Sequence, residues 1–133
     1  MNEIKSRMSV SHQRLFTKKY PLMVNSGSSA LILALNVLNF KKGSEIITPC
    51  LNFGTAVSAI LISGYKPIFV DIDKTNLSIA DNEIEKKITK KTKAIMLINA
   101  LGNCCDLFKI KKIAKKKTTR TCFVSNDAVH PRS

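Results

Sequence analysis

The chain has 133 residues, 44% of them hydrophobic, and 22 lysines and arginines against 9 acidic residues give a formal net charge of +13. This length suits one domain. No apolar run is long enough to span a bilayer, and the polar stretch from Met1 to Lys19 lacks the hydrophobic region of a signal peptide. We therefore expect a soluble, cytoplasmic protein with no membrane partner.

The positive charge invites a nucleic-acid interpretation, but its distribution argues against one. Most of the excess is lysine that alternates with Ile and Ala at helical spacing, as on a solvated helix face. Tryptophan is absent and aromatic residues make up only 6%, so platforms for stacking bases are not evident. A basic nucleic-acid-binding module stays as a third interpretation, resting on charge alone. The lysine clusters are Lys86-Lys87, Lys90-Lys91, Lys109, Lys111-Lys112 and Lys115-Lys116-Lys117.

The cysteines and histidines show no metal-binding pattern. The four cysteines form no CxxC pair, and the adjacent Cys104 and Cys105 fit no common zinc spacing. His12 and His130 lie far apart in the sequence. We expect free thiols and no metal site.

Strand-like and helix-like segments alternate along the chain. The predicted strands are 22–24, 45–48, 66–71, 93–99 and 121–125, and the predicted helices are 28–40, 55–62, one opening at Asp81, and 106–117. Pro49 stops the second strand, and the run from Lys93 to Asn99 is typical of a strand buried on both faces. This alternation predicts an α/β fold, a partial three-layer arrangement of a mostly parallel sheet with helices on both faces. Residues 1–20 show no clear pattern, and we expect a loosely held N-terminal segment there.

The most informative turn is Asn25-Ser26-Gly27-Ser28-Ser29, which leads from an apolar run into the first helix. The first N–H groups of a helix have no intrahelical partners, and with the helix dipole they form a ready site for an anion such as phosphate. Gly27 allows a close approach or an unusual φ. The alternative is an ordinary capped helix, because Ser and Gly are favoured at helix starts anyway.

Loops that follow the strands of a parallel sheet meet at one edge, where such sheets bind ligands. The loops concerned are Asn25–Ser29, Pro49–Gly54, Asn99–Asp106 and Asn126–His130. No GxGxxG or Walker A pattern occurs, so nothing supports a dinucleotide or P-loop nucleotide site.

Taken together, these loops resemble the DegT/DnrJ/EryC1/StrS family of sugar aminotransferases and related dehydratases. Five segments match in the right order between about Phe16 and Lys117. They are Asn25 to Leu31, Gly43 to Pro49, Lys66 to Asp73, Thr92 to Met96, and Leu101-Gly102-Asn103 with Asp106. The Leu101-Gly102-Asn103 run looks closest to the sugar 3-dehydratase branch and to some aminotransferases.

The resemblance implies the aspartate-aminotransferase fold and the cofactor pyridoxal 5′-phosphate (PLP), with residues 21–133 an incomplete large domain. Ser28 and Ser29 match the pair that holds the PLP phosphate, and Phe53 matches the aromatic residue that stacks on the ring. From the residues alone, Phe53 would instead be a core residue at a strand end. Asp127 matches the partner of the pyridine nitrogen, and His130 a cofactor contact three residues later. The alternative for these last two is a pair of tail residues with no fixed position.

The sequence departs from the family pattern at the residue before Asp127, at Asn99 and at the Schiff-base lysine. Asn126 stands where an acid is usual, and Asn99 stands where a His is often found. The family's Schiff-base lysine lies beyond Ser133, so no catalytic residue is nominated and the chain alone is expected to be inactive. The resemblance implies a truncated sugar aminotransferase-like protein, whose full-length family acts on nucleotide sugars as homodimers. The alternatives are the 3-dehydratase branch and a non-catalytic remnant.

Overall fold

The computed structural model describes residues 22, 24–99, 103, 105–117 and 120–125, the last six and Asn99 by backbone alone. Within them helices and strands alternate, as the sequence predicts. The helices are α1 (Gly27–Leu38), α2 (Gly54–Ile62), α3 (Asp81–Lys87) and α4 (Leu107–Lys116), and the strands are β1 (Glu45–Pro49), β2 (Lys66–Val70), β3 (Thr92–Asn99) and β4 (Arg120–Ser125).

The four strands form one parallel sheet in the order β2-β1-β3-β4. Ile47 in β1 pairs with Ile68 in β2 on one side and with Ile95 in β3 on the other. The register between β1 and β3 shifts between Glu45 and Ile46. The predicted α/β class and parallel sheet are therefore confirmed.

Two apolar clusters, one on each face of the sheet, make the three layers. The first includes Leu31 and Leu35 from α1, Ala56, Ala59 and Ile60 from α2, and Ile46, Ala94, Met96 and Ile98 from the sheet. The second includes Ile84 from α3, Ile110 and Ala114 from α4, and Ile47, Val70, Ile95 and Leu97 from the sheet. Successive strand residues point to opposite faces, and residues 94–98 of β3 are all buried. The prediction of a strand buried on both faces is confirmed.

The predicted strand at 22–24 is wrong at its two described residues. Leu22 and Val24 are in no strand and are 73% and 38% exposed. A run of three apolar residues carries too little periodicity to distinguish a strand from an irregular approach to a helix. At the other end of α1, Asn39 adopts φ 47, ψ 46 and ends the helix, a left-handed conformation that Asn tolerates well.

Helices α1 and α2 run antiparallel to the strands that they cover. The chain passes from the end of α1 through a short turn into β1, so the N-terminus of α1 lies at the carboxyl end of the sheet. Helix α1 is about 18 Å long at 1.5 Å per residue, close to the roughly 16 Å length of β1. Helix α2 begins directly after the β1 loop, at the same end. We call this end of the sheet the carboxyl rim.

The hydroxyl of Tyr65 fixes the opposite end of α1. It accepts a hydrogen bond from the N–H of Phe40 (3.0 Å) and donates one to the carbonyl of Leu35 (3.3 Å). The Tyr65 and Phe40 rings lie 5.9 Å apart at 56°. Because Tyr65 directly precedes β2, it ties the last turn of α1 to the amino end of the sheet.

No helix in the described part of the chain is both long enough and apolar enough to cross a membrane.

Candidate cofactor site at the carboxyl rim

The turn before α1 is held by Ser26. Its extended backbone (φ −158, ψ 160) makes it the N-cap, and its Oγ accepts a hydrogen bond from the N–H of Ser29 at 3.2 Å. The same hydroxyl donates to Oγ of Ser29 at 3.0 Å, and the carbonyl of Ser26 accepts from the N–H of Ala30. Ser26 therefore caps α1. The sequence indicated the turn from Asn25 to Ser29 without distinguishing its capping residue.

Two backbone donors of this turn remain outside that network. The N–H groups of Gly27 and Ser28 make no hydrogen bond to the described residues, as expected for the first positions of a helix. Ser28 is exposed, and Ser29 is partly buried. Gly27 is helical without a positive φ, and a Cβ added there would meet nothing within 4 Å. The unusual φ considered for Gly27 is therefore not adopted, and no described atom obstructs the position that a Cβ would take there.

Phe53 sits at the start of α2 with its ring 70% exposed. A core position for Phe53, the alternative from the residues alone, is therefore wrong. The carbonyl of Phe53 accepts from the N–H of Ala56, and no side chain caps this helix. A large aromatic ring held in solvent at a helix start is available to cover the face of a planar ligand.

Asn52 anchors the loop that presents Phe53. Its Nδ2 donates to Oγ1 of Thr48, a fully buried residue of β1, at 3.0 Å. Oδ1 of Asn52 is buried without a hydrogen-bond partner among the described residues. The N–H of Cys50 donates to the carbonyl of Val70 at 2.9 Å, which binds the start of the loop to β2.

A carboxylate stands beside this loop at the end of β2. Asp71 accepts hydrogen bonds from the N–H of Ile72 (2.8 Å) and from the thiol of Cys50 (3.5 Å). These bonds, the backbone one first, hold the pKa of Asp71 below its ordinary value. Cys50 is a free, exposed thiol, as predicted. We did not single out Asp71 or Asn52 from the sequence, although both belong to segments that directly follow strands, where site residues are expected.

The structure places the segments that carry Ser28 and Phe53 at one rim, and it does not describe the segment that carries Asp127 and His130. Ser28 and Phe53 stand at the N-termini of α1 and α2, which pack against one another and both begin at the carboxyl rim. The positive ends of two helix dipoles therefore lie at the same rim. Asp127 and His130 lie outside the described residues. No group of three or more His, Cys, Asp or Glu residues is placed to hold a metal ion in the part of the chain described.

Comparison with known proteins identifies the family of the chain. The sequence profile of the DegT/DnrJ/EryC1/StrS aminotransferase family matches residues 11–130. The chain belongs to that family. The resemblance read from the five ordered segments is thereby confirmed.

Relatives with assigned functions act on nucleotide sugars. The chain is 41% identical over 109 residues to a GDP-perosamine synthase of Escherichia coli O157:H7, covering 82% of this chain and 29% of that protein. It is 40% identical over 108 residues to a GDP-4-keto-6-deoxy-D-mannose 3-dehydratase of Yersinia pseudotuberculosis, covering 77% of this chain and 28% of that one. The chain thus spans less than a third of the length of these relatives.

A solved structure shows the same fold. The E. coli GDP-4-keto-6-deoxy-D-mannose-3-dehydratase with bound hydrated PLP superposes with a TM-score of 0.81 at 31% identity, over 89% of this chain and 32% of that one. Both a synthase and a dehydratase are thus among the relatives.

Proposed function

We propose that this chain is the phosphate-binding N-terminal part of the large domain of a PLP-dependent enzyme that transfers an amino group to a keto sugar nucleotide. The parent reaction would serve polysaccharide or deoxysugar biosynthesis in the cytoplasm, carried out by a homodimer. The observation that carries the proposal is the pairing of the open α1 turn at Ser28 with the exposed Phe53 ring on one rim.

The residues present fit PLP. The N–H groups of Gly27 and Ser28 make no hydrogen bond to the described residues and lie in the first turn of α1, and the hydroxyls of Ser28 and Ser29 would add donors for the phosphate oxygens. Phe53 would stack on one face of the ring, fix its tilt and exclude water from that face. When bound, PLP supplies the electron sink for amino transfer.

Two further residues would complete the cofactor contacts. In the family pattern Asp127 would accept a hydrogen bond from the protonated pyridine nitrogen and keep that nitrogen protonated. His130 would contact the cofactor. We assign no catalytic residue within this chain, because none of its lysines matches the family's Schiff-base position. The chain of 133 residues alone is therefore expected to bind without turning over.

The second candidate is the 3-dehydratase branch, and the similarity to two dehydratases favours it. A third candidate is a non-catalytic remnant that binds phosphate weakly or not at all. All three candidates share the α1 turn, so a complete absence of PLP binding would favour the remnant.

The test is a titration of PLP and of inorganic phosphate into the chain at raised salt, where attraction to the general positive charge is screened. We expect millimolar affinity, about −4 kcal/mol. Replacing Ser28 and Ser29 together by Ala should weaken binding by about tenfold or more, because hydrogen bonds to a charged group contribute about 1.5–3 kcal/mol each.

The matched control is Ser58→Ala, which removes an exposed hydroxyl from α2 away from its first turn. It should bind PLP as the parent chain does. Equal affinities of the parent and the Ser28/Ser29 double variant would show that the turn is not the phosphate site, and the proposal would fail.

A further inference from the structure

Helix α4 carries a face that the sheet does not use. Its inward residues are the buried Ile110 and Ala114, with Leu107 and Ile113 partly buried beside them. Phe108 is 90% exposed. Lys111, Lys112 and Lys115 follow it at spacings of three, four and seven residues and are exposed, so the four side chains share the outward face. We call these four residues the α4 face.

Nearby acidic groups leave the α4 face uncompensated. Between residues 81 and 117 there are 11 lysines and 4 acidic residues. Asp81 pairs with Lys109 at 2.7 Å and Glu85 with Lys116 at 3.3 Å, both across the α3–α4 contact.

The other two acids are also engaged. Glu83 pairs with Lys86 at 2.7 Å, and Asp106 caps α4 by accepting from the N–H of Lys109 at 3.0 Å. No ion pair with a described residue therefore involves the three lysines of the α4 face.

The exposed ring adds a second requirement to the charge. A solvated helix face needs no aromatic residue, and a ring that is 90% in water loses the free energy that burial would provide. A ligand that matches both the lysines and the ring of the α4 face is polyanionic and offers an apolar layer just beneath its charges. A bilayer of anionic lipids has both, since aromatic rings settle at the level of the headgroups while lysines meet the phosphates.

We propose that the α4 face docks the protein on an anionic membrane surface, with Phe108 inserted between headgroups and the three lysines on lipid phosphates. No membrane partner was expected from the sequence, whose apolar runs are too short to cross a bilayer, but surface binding needs no span. Helix α4 packs on the sheet face opposite α1 and α2. Docking therefore leaves the α1 turn and Phe53 uncovered, and it does not depend on the cofactor proposal.

A single-stranded nucleic acid is the competing polyanion, and three observations favour the membrane. The α4 face presents one ring, whereas strand binders stack successive bases on several rings. Its cations are lysines, which act as point charges and lack the planar donor set of arginine. The face is the convex ridge of a helix, which meets a flat surface more readily than a groove would.

The experiment is sedimentation of the full chain with vesicles of phosphatidylglycerol and phosphatidylcholine in equal parts, and with phosphatidylcholine alone. Binding should require the anionic lipid and weaken as salt rises. Replacing Lys111, Lys112 and Lys115 together by Gln should lower the partition coefficient on the order of a hundredfold. Phe108→Ser should lower it by about tenfold through loss of the inserted ring.

Matched controls separate docking from general charge. Replacing Lys41, Lys42 and Lys66 together by Gln removes the same charge from the turn before β1 and the first residue of β2, and it should lower partitioning by less than about threefold. Val37→Ser removes an exposed apolar side chain from α1 and should leave partitioning unchanged. Circular dichroism checks that each variant is folded.

Three results would overturn the proposal. The first is absence of vesicle binding by the parent chain. The second is an equal loss in the two triple-lysine variants, which would show attraction to net charge only. The third is tighter, Phe108-dependent binding to oligothymidylate than to vesicles at the same salt, which would assign the α4 face to single strands. Unchanged PLP affinity in the α4 variants is expected and keeps this test separate from that of the cofactor site.

Discussion

Replacing Tyr65 by Phe tests whether the hydroxyl latch at the end of α1 stabilises the fold. The substitution keeps the ring, its packing against Phe40 and its volume, so it creates no cavity. It removes the bond to the carbonyl of Leu35 (3.3 Å) and the acceptor of the Phe40 N–H (3.0 Å). Tyr65 is 6% exposed, so water cannot easily replace either bond.

The expected loss follows from these two bonds. A buried intramolecular hydrogen bond contributes about 0.5–1.5 kcal/mol net, so the free energy of unfolding should fall by about 1–3 kcal/mol. With a urea m-value of about 1–3 kcal/mol per molar, the midpoint should move down on the order of 1 M at unchanged m. Urea denaturation followed by circular dichroism measures both quantities.

Comparison with Tyr65→Leu separates the hydroxyl from the ring. That variant also removes aromatic volume from the α1–α2 side of the core and should be more destabilised than Tyr65→Phe, because a cavity is added to the lost bonds. A Tyr65→Phe midpoint within experimental error of the parent would refute the reasoning, since it would mean that the hydroxyl does not hold α1 to the sheet.

Three further predictions concern the buried network, acid stability and chemistry. The hydroxyl of Thr92 accepts from the N–H of Thr89 (2.9 Å) and donates to the buried Glu45 carboxylate (3.2 Å), so Thr92→Val should cost about 2–4 kcal/mol by urea denaturation. A loss as small as that of Thr55→Val, a control at an exposed threonine of α2, would contradict this. Hydrogen bonds from Thr75 hold the pKa of the Asp73 carboxyl below its ordinary value, and those from Ile72 and Cys50 do the same for Asp71. The stabilisation that these carboxylates give the fold is present above the unfolded pKa of about 3.9, and it is lost as the pH falls through their lowered folded pKa values. The urea midpoint should therefore drop less on acidification in an Asp71→Asn, Asp73→Asn variant, and an identical drop would refute the assignment. Finally, the chain should show no transaminase turnover, and borohydride reduction after incubation with PLP should label many lysines weakly by peptide mapping; one dominant labelled lysine would overturn that expectation.

Local sequence signals predicted the elements well where residues that favour a helix start or end stand at the boundaries. Asp81 opens α3 as predicted, with acids in its first turn and lysines in its last. Asp106 accepts from the N–H of Lys109 and caps α4, at the residue where the predicted helix 106–117 begins. These features involve residues within one or two helical turns, so the sequence displays them directly. The run at 22–24 has no such boundary residues, and the strand predicted there was wrong at its two described residues.

Contacts between distant residues could not be predicted in this way. The Tyr65 hydroxyl bonds to residues 25 and 30 positions away, and Glu45 meets Thr92 across 47 positions. The candidate site divides similarly. Ser28 was found from the small-residue turn before the first helix and again by the resemblance, and Phe53 by the resemblance alone. The anchoring of the Phe53 loop by Asn52, by contrast, depends on where Thr48 lies in the folded strand.

The strand order explains, without reference to side chains, why the candidate site lies at the carboxyl rim. The chain leaves β1 towards β2 on one side, and it leaves β3 towards β4 on the other. Because β1 and β3 are neighbours, the connections that follow them part in opposite directions, and a crevice opens outside their carboxyl ends, as at the switch point of any doubly wound sheet. The Phe53 loop borders that crevice. Under the proposed function, substitutions around the rim would change what is bound there, whereas the place of binding would be set by the winding of the chain.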